Sequence, residues 1–346
     1  MSDVNLTGIA KSYGGSPVLT DISVSFPSGS FTSLLGPSGS GKTTLLRIIA
    51  GFITPEAGAV TIGAEDVTRV PVWARNIGMV FQSYALFPHM TVRDNVAFGL
   101  GRRGVKGAEA KRRVDEALEM VRLPGFADRL PKQLSGGQQQ RVAMARAIVT
   151  EPKVLLLDEP LSALDRRLRQ EMQVELLSLQ REIGVTTIFV THDQEEALTL
   201  SDQVAILDRG RIVQMGAPAA IYERPATRFA AEFLGDANFF TGRVESGAVA
   251  VAGSRITAPD LPEGREVTLA VRPEKISLGA GENGGNRVQA RVLNAIYAGA
   301  NLTYLMEGPG GMGLKVFAQN ADGVILPKGA EVTLHWSPDH TILVED

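Results

Sequence analysis

Residues 31–43 read Phe31-Thr32-Ser33-Leu34-Leu35-Gly36-Pro37-Ser38-Gly39-Ser40-Gly41-Lys42-Thr43, and they decide the fold of the first two thirds of the chain. A short run of strand length enters a loop with glycines at positions 36, 39 and 41, and Thr43 to Ala50 continue as a helical pattern. Strand, glycine loop, lysine, threonine and helix in that order form a phosphate-binding loop. Glycines let successive backbone N–H groups wrap a phosphate, and the helix start adds a favourable partial charge. Lys42 is expected on the β- and γ-phosphates of a nucleotide, and the Thr43 hydroxyl on Mg²⁺. The glycine spacing is not that of the dinucleotide fingerprint.

Downstream, Val154-Leu155-Leu156-Leu157 is a continuous apolar run, as expected for a parallel strand covered on both faces. It ends in Asp158-Glu159-Pro160. Proline stops the strand and leaves both carboxylates at its carboxyl end, where open α/β sheets place ligands. Asp158 is suited to hold Mg²⁺ through water, and Glu159 to polarise an attacking water. Thr186 to Val190 and Val204 to Leu207 read as further strands of that sheet. Leu168, Met172, Leu176, Leu179 and Ile183 fall on one helical face, as do Ala110, Val114, Ala117, Leu118 and Val121; both stripes read as core contacts.

Between loop and acids lies Leu134-Ser135-Gly136-Gly137-Gln138. Ser135 with the N–H groups of Gly136 and Gly137 makes a second anion site at a helix start, although a serine there also serves as an ordinary helix cap. Together these patterns predict an α/β domain over residues 1–235. From Phe239 onward the texture changes to short alternating strands: Glu266 to Arg272, Arg287 to Asn294, Leu302 to Glu307, Leu314 to Ala318 and Glu331 to Trp336. Gly279 to Gly285 and Gly308 to Gly313 read as loops, so residues 236–346 form a separate β-barrel-like domain.

Composition narrows the function classes. A chain of 346 residues with 44% apolar and 21% charged residues is ordinary for a globular protein of two domains. A net charge of −3 gives no pull toward nucleic acid, and the basic run at Arg102-Arg103 and Lys111-Arg112-Arg113 reads as a solvated helix face. The absence of cysteine excludes disulfides and thiolate metal sites, and fits a reducing cytosol. Met1 to Gly15 lack the pattern of a secretory signal, and no window has the roughly 18 apolar residues that span a bilayer.

These residues resemble, in order, the motifs of ATP-binding subunits of ABC transporters. The resemblance covers the first 235 or so positions and implies an α/β P-loop NTPase fold with a helical signature subdomain over about 88–150. It implies that Gly36, Pro37, Ser38, Gly39, Ser40, Gly41, Lys42, Thr43 and Thr44 hold ATP, with Tyr13 stacked on adenine. Gln82, in Val80-Phe81-Gln82, would link Mg²⁺ and the attacking water to a membrane subunit; Thr43, Gln82 and Asp158 would serve the metal. Ser135, Gly136, Gly137 and Gln138 match the family's signature. Asp165, in Ser162-Ala163-Leu164-Asp165, lies in the loop that crosses between partners, and His192 matches the switch histidine on the γ-phosphate. Glu159, His192, Gln82 and Lys42 would then carry catalysis. The signature cannot easily reach the phosphate of its own loop, so it is expected to act in trans, with ATP held between two copies.

Ser83-Tyr84-Ala85-Leu86-Phe87-Pro88-His89-Met90 resembles the surface of importer ATPases that receives a helix of the permease. The C-terminal third resembles the OB-like (TOBE/MOP-like) β-domain of importers for polyamines, ferric iron, 2-aminoethylphosphonate and sugars, chiefly through Val271-Arg272-Pro273-Glu274-Lys275-Ile276. Phe233 to Phe240 bridges the domains much as it does in polyamine-type and iron-type members, and the cargo is read as spermidine/putrescine-like, with the other cargoes as alternatives. That reading implies a second copy of the chain, permease subunits, a periplasmic or extracellular solute-binding protein, and a peripheral place on the cytoplasmic face of a bacterial inner membrane. No nucleic acid partner is expected. An ATPase acting on DNA or ribosomes would need a coiled coil, two cores or zinc cysteines, none of which the sequence carries.

Overall fold

Six strands form the sheet that carries the phosphate loop, in the order Arg211–Gly216, Gln203–Asp208, Phe31–Leu35, Thr186–Thr191, Val154–Asp158, Ile77–Val80. The computed structural model describes residues 2–279, 285–321 and 323–345. The chain divides into two units, Met1–Ala219 and Ala220–Asp346.

In the first unit the strands are β1 (Val4–Tyr13), β2 (Ser16–Phe26), β3 (Phe31–Leu35), β4 (Ala57–Ile62), β5 (Glu65–Asp66), β6 (Ile77–Val80), β7 (Val154–Asp158), β8 (Thr186–Thr191), β9 (Gln203–Asp208) and β10 (Arg211–Gly216). Strands β9, β3, β8, β7 and β6 run parallel, and β10 pairs antiparallel with β9. Every residue of β3, β7 and β8 is buried, which is why they read as unbroken runs. Side chains of β7 alternate between two cores: Val154 and Leu156 enter one, Leu155 and Leu157 the other.

The core around Val154 holds helix α1 (Lys42–Ala50) and the sheet of order β2-β1-β4-β5. That antiparallel sheet is absent from the sequence reading. Its register shifts between Leu6 and Ile9 and again between Ile9 and Lys11, which breaks the two-residue alternation that announces a strand. The other core joins α2 (Val92–Arg102), α3 (Gly107–Met120), α4 (Gly136–Ile148) and α5 (Arg166–Ile183), followed in sequence by the short α6 (Gln194–Leu200). Both expected stripes face this core: Met172, Leu176 and Leu179 from α5, Val114, Ala117 and Leu118 from α3.

The second unit contains α7 (Pro218–Glu223, beginning just before the division), α8 (Arg228–Phe233), β11 (Asn238–Glu245), β12 (Ala248–Val251), β13 (Ser254–Ile256), β14 (Glu266–Val271), β15 (Ser277–Leu278), β16 (Asn286–Ala298), β17 (Asn301–Glu307), β18 (Gly313–Gln319), β19 (Glu331–Trp336) and β20 (Thr341–Val344). Two antiparallel sheets, β13-β12-β11-β14-β20 and β15-β19-β16-β17-β18, share one core that includes Phe240, Leu269, Tyr304 and Trp336. All five strands expected from alternation are present; of the expected loop Gly279 to Gly285, residues 280–284 lie outside those described.

The division falls earlier than the expected boundary at 235/236, for a physical reason. Arg272, only 2% exposed, donates to the carbonyls of Tyr222, Ala231, Gly235 and Asp236. Its guanidinium stacks 4.2 Å from the Tyr222 ring centre. One buried cation therefore gathers the helical segment after Ala219 onto the β-unit.

Candidate active site

Strand register brings the chemistry together. Leu35 of β3 lies opposite Thr191 of β8, Asp158 of β7 opposite Val190, and Val80 of β6 opposite Leu157. Four neighbouring strands thus end almost level, and the residues just beyond their ends are Gly36, His192, Glu159 and Phe81-Gln82. Parallel strands separated widely in sequence deliver these groups to one edge, the place such sheets reserve for ligands.

At the end of β3 the loop is shaped by close approach. A Cβ on Gly36 would lie 2.2 Å from the Leu207 carbonyl oxygen, so only glycine passes. Gly41 has a φ of 105° and begins α1 with no capping side chain. The first-turn N–H groups of α1 therefore lack the side-chain acceptor that most helix starts supply, which is the form of an anion-binding terminus. Lys42 is buried and donates from Nζ to the carbonyls of Gly36 at 2.7 Å and Pro37 at 3.0 Å. Burial holds its ammonium below the ordinary lysine range, opposed by the nearby Glu159 and Asp158. Ser40 is buried and its Oγ has no hydrogen-bond partner, while Ser38 and Gly39 are exposed.

At the end of β7, Asp158 Oδ1 accepts from Thr43 Oγ1 at 3.3 Å. Burial pushes its carboxyl above the usual range; Thr43, Arg47 and Lys42 oppose that push, and Glu159 adds to it. Glu159 adopts a left-handed backbone with φ 46°, and its N–H donates to the Val190 carbonyl at 3.1 Å. That conformation costs an L-residue roughly 1–2 kcal/mol and turns the chain sharply at the strand end. Glu159 Oε2 lies 3.3 Å from His192 Nδ1 and 3.4 Å from Gln82 Nε2. One carboxylate oxygen is thus shared by an imidazole and an amide, beside a buried lysine, an arrangement that suits a general base with orienting groups next to an anion-binding loop.

A family model described as ABC transporter matches residues 19–162, and one described as TOBE domain matches residues 269–344. The spermidine/putrescine import ATP-binding protein PotA of Rubrobacter xylanophilus is 46% identical over 353 residues, covering 99% of this chain and 93% of that protein. The protein of the same name from Thermobifida fusca is 47% identical over 357 residues, with 99% and 93% covered. The chain belongs to the ABC transporter ATP-binding family. Among solved structures, cbiO1 from Clostridium perfringens, part of the ABC transporter complex cbiONQ, matches with a TM-score of 0.60 at 31% identity, covering 63% of this chain and 90% of its own. The dimeric structure of the bacterial ABC transporter cassette MJ0796 matches with a TM-score of 0.56 at 33% identity, covering 62% and 98%. A further structure of that cassette, in a post-hydrolysis state bound to ADP and Pi, matches at 34% identity with the same TM-score.

In this ABC ATPase, Lys42, Thr43, Gln82, Asp158, Glu159 and His192 lie in one connected group. The signature and Asp165 lie in a second. Ser135 caps α4, accepting from Gln138 N–H at 3.3 Å while Gln138 Oε1 accepts from Ser135 N–H at 3.0 Å. Asp165 caps α5 through Leu168 N–H at 3.0 Å. A Cβ on Gly137 would come within 3.2 Å of the Leu168 methyl groups, and one on Gly136 within 3.9 Å of Leu164, so the signature packs on the loop that carries Asp165. Tyr13 is half exposed with Lys11 over its ring at 5.6 Å, and Thr44 sits half-buried in the first turn of α1.

The sequence reading quoted Ser162 only as part of a loop and missed two supporting arginines. Ser162 Oγ lies 3.4 Å from Gln82 Nε2 and donates to the Glu159 carbonyl at 2.9 Å. Arg75, 4% exposed, donates to the Ile48 and Ile49 carbonyls at 2.8 Å and so holds the far end of α1. Arg169 joins the loops around Leu164 and Asp193. Neither arginine belongs to a recognisable motif; the only signal was their placement within a few residues of one.

The expected permease-facing stretch is mixed. Tyr84 is buried and Leu86 and Phe87 are partly buried, whereas Gln82, Ser83, Ala85, Pro88 and His89 are exposed. Phe87 meets Phe98 at 4.7 Å with the rings tilted by 45°, and Phe98, 44% exposed, extends the apolar surface.

Proposed function

We propose that this ABC ATPase is the energy-coupling subunit of a binding-protein-dependent importer whose cargo is a polyamine of the spermidine/putrescine class. Relatives that match nearly the whole chain carry that import role in their names, and the cargo reading rests on them. The hydrolytic reading rests on Glu159, whose Oε2 is within reach of both His192 and Gln82 at the edge that carries Lys42.

Lys42 binds the terminal phosphates and offsets charge that grows on them during transfer. Glu159 Oε2 accepts the proton as a water oxygen bonds to the γ-phosphorus and the bond to the β-phosphate oxygen breaks, giving ADP and phosphate. His192 and Gln82 hold Glu159 and the water in line. Thr43 Oγ1 and Asp158 Oδ1, 3.3 Å apart, are hard oxygen donors that suit Mg²⁺, and the buried Asp158 carboxylate gains a counter-charge from such an ion. Thr43 and Asp158, with Gln82, would hold Mg²⁺, which would neutralise charge on the phosphates during transfer.

The signature of a second copy completes the phosphate contacts, so ATP binding closes a homodimer and hydrolysis opens it. The exposed residues around Gln82 to Met90 receive the permease, which places the subunit on the cytoplasmic face of the membrane, with a solute-binding protein across it. Among the described residues no helix is long and apolar enough to cross a membrane. Glu159→Gln tests the reading: phosphate release should fall about 10²- to 10⁴-fold while ATP binding persists and a nucleotide-bound dimer accumulates on gel filtration. An unchanged rate sinks the assignment of the base.

A further inference from the structure

Arg169 lies on α5 just past Asp165, outside the motifs quoted above, yet it touches two loops of the site. Its Nη2 donates to the Leu164 carbonyl at 3.1 Å, and its Nη1 to Asp193 Oδ2 at 3.1 Å. Its Nε has no hydrogen-bond partner and lies 3.6 Å from Glu196 Oε1. Both Arg169 and Asp193 side chains are 29% exposed, and Glu196 is almost fully buried.

The segment it grips is tightly organised. Thr191 Oγ1 donates to Glu196 Oε2 at 2.5 Å and accepts from Asp193 N–H at 3.0 Å. Asp193 Oδ1 caps α6 by accepting from Glu196 N–H at 3.2 Å, so its two oxygens face different masters. His192 sits between Thr191 and Asp193, and its ring meets Glu159. On the other side, Leu164 and Leu168 carry the packing of Gly136 and Gly137.

We propose that Arg169 is a positioning residue for hydrolysis, on which this chain's own use of Glu159 and His192 depends. Its guanidinium ties the backbone of the Ser162–Asp165 loop to the turn that aims His192 at Glu159. A planar fork with several donors serves both loops at once, which a single ammonium does not. The placement of the signature helix start against Leu164 and Leu168 is thereby mechanically joined to the histidine. This proposal rests on the hydrolytic reading above.

The full-length chain, assayed with its membrane subunits and as the isolated ATPase, tests it through Arg169→Ala, Arg169→Lys and Asp193→Asn. Asparagine keeps the α6 cap and removes the charge that Arg169 meets. Expected are a fall in kcat of roughly 10- to 100-fold in Arg169→Ala, a KM for ATP within about twofold of wild type, and partial rescue by lysine. Arg169→Ala added to His192→Ala should cost little more than His192→Ala alone, because the arginine acts through the histidine. A folded Arg169→Ala with wild-type kcat, or losses that simply multiply in the double variant, overturns the proposal. If Arg169→Ala does not fold, Asp193→Asn decides alone: a full rate there also overturns it. Glu159→Gln run alongside separates the two readings, since full activity in that variant removes the base itself, whereas an inactive Glu159→Gln beside a full-rate Arg169→Ala removes only the positioning role.

Discussion

Two helix starts in the ATPase unit look alike on paper and are built differently. α1 begins at Gly41, in a left-handed conformation with no capping side chain; α4 begins at Ser135, whose hydroxyl and Gln138 cap each other. Both present glycine-rich backbone of the kind that suits an anion. The first leaves its donors to a ligand and sets a buried lysine beside them. The second has already satisfied one donor locally, so it folds and keeps its shape without a phosphate. One start is therefore a cradle that needs a ligand, and the other a preformed face suited to meet a phosphate held elsewhere.

The contrast breaks first at α1. Lys42→Met should lower ATP affinity by about 100-fold or more, measured by fluorescent-nucleotide titration, because one charged donor in a dry phosphate site is worth that much. The same variant sharpens the point through pH. With its folded value lowered, Lys42 binds fewer protons in the native than in the unfolded chain over the window from that value up to the ordinary lysine value. Nucleotide-free wild type should therefore gain stability as pH rises through that window, and Lys42→Met should lack this slope in thermal melts.

Ser135→Ala addresses the second start. Loss of the cap should lower stability by about 1 kcal/mol, read as a shift in denaturation midpoint. ATP hydrolysis at saturating nucleotide should fall further than that small loss explains; a purely structural serine would leave it intact.

The smallest effect is expected at α6, whose start is capped by Asp193 with Glu196 buried behind it. Burial raises the Glu196 carboxyl, with the Thr191 hydroxyl opposing it. A raised folded value means stability that is complete below the unfolded carboxylate range and lost as pH rises through the folded value. Glu196→Gln, which mimics the protonated form, should melt slightly above wild type at neutral pH, and the gain should vanish in acid.

Much of this was legible because local patterns and the fold agreed. The apolar runs of β3, β7 and β8 and the stripes on α3 and α5 read correctly, since a strand buried on both faces and an amphipathic helix each leave an unambiguous period. The bulged β1 left none, and the antiparallel sheet went unseen. The segment between Ala220 and Gly235 reads as a continuation of the α/β pattern, yet Arg272 draws it into the other unit through carbonyls that carry no sequence signal.

The sequence by itself determined the candidate chemistry: which residues suit a phosphate, which carboxylates end a strand, and that no thiol takes part. Motifs do this because glycine, lysine and paired acids at fixed spacings have few other uses together. Only the tertiary structure decided the geometry. Strand register set Gly36, His192, Glu159 and Gln82 at one edge, a left-handed turn placed Glu159, and two arginines, the buried Arg75 and the partly buried Arg169, hold the surrounding helix and loops. Such contacts join residues far apart in the chain, and their energies depend on burial and partners that exist only once the sheet has formed.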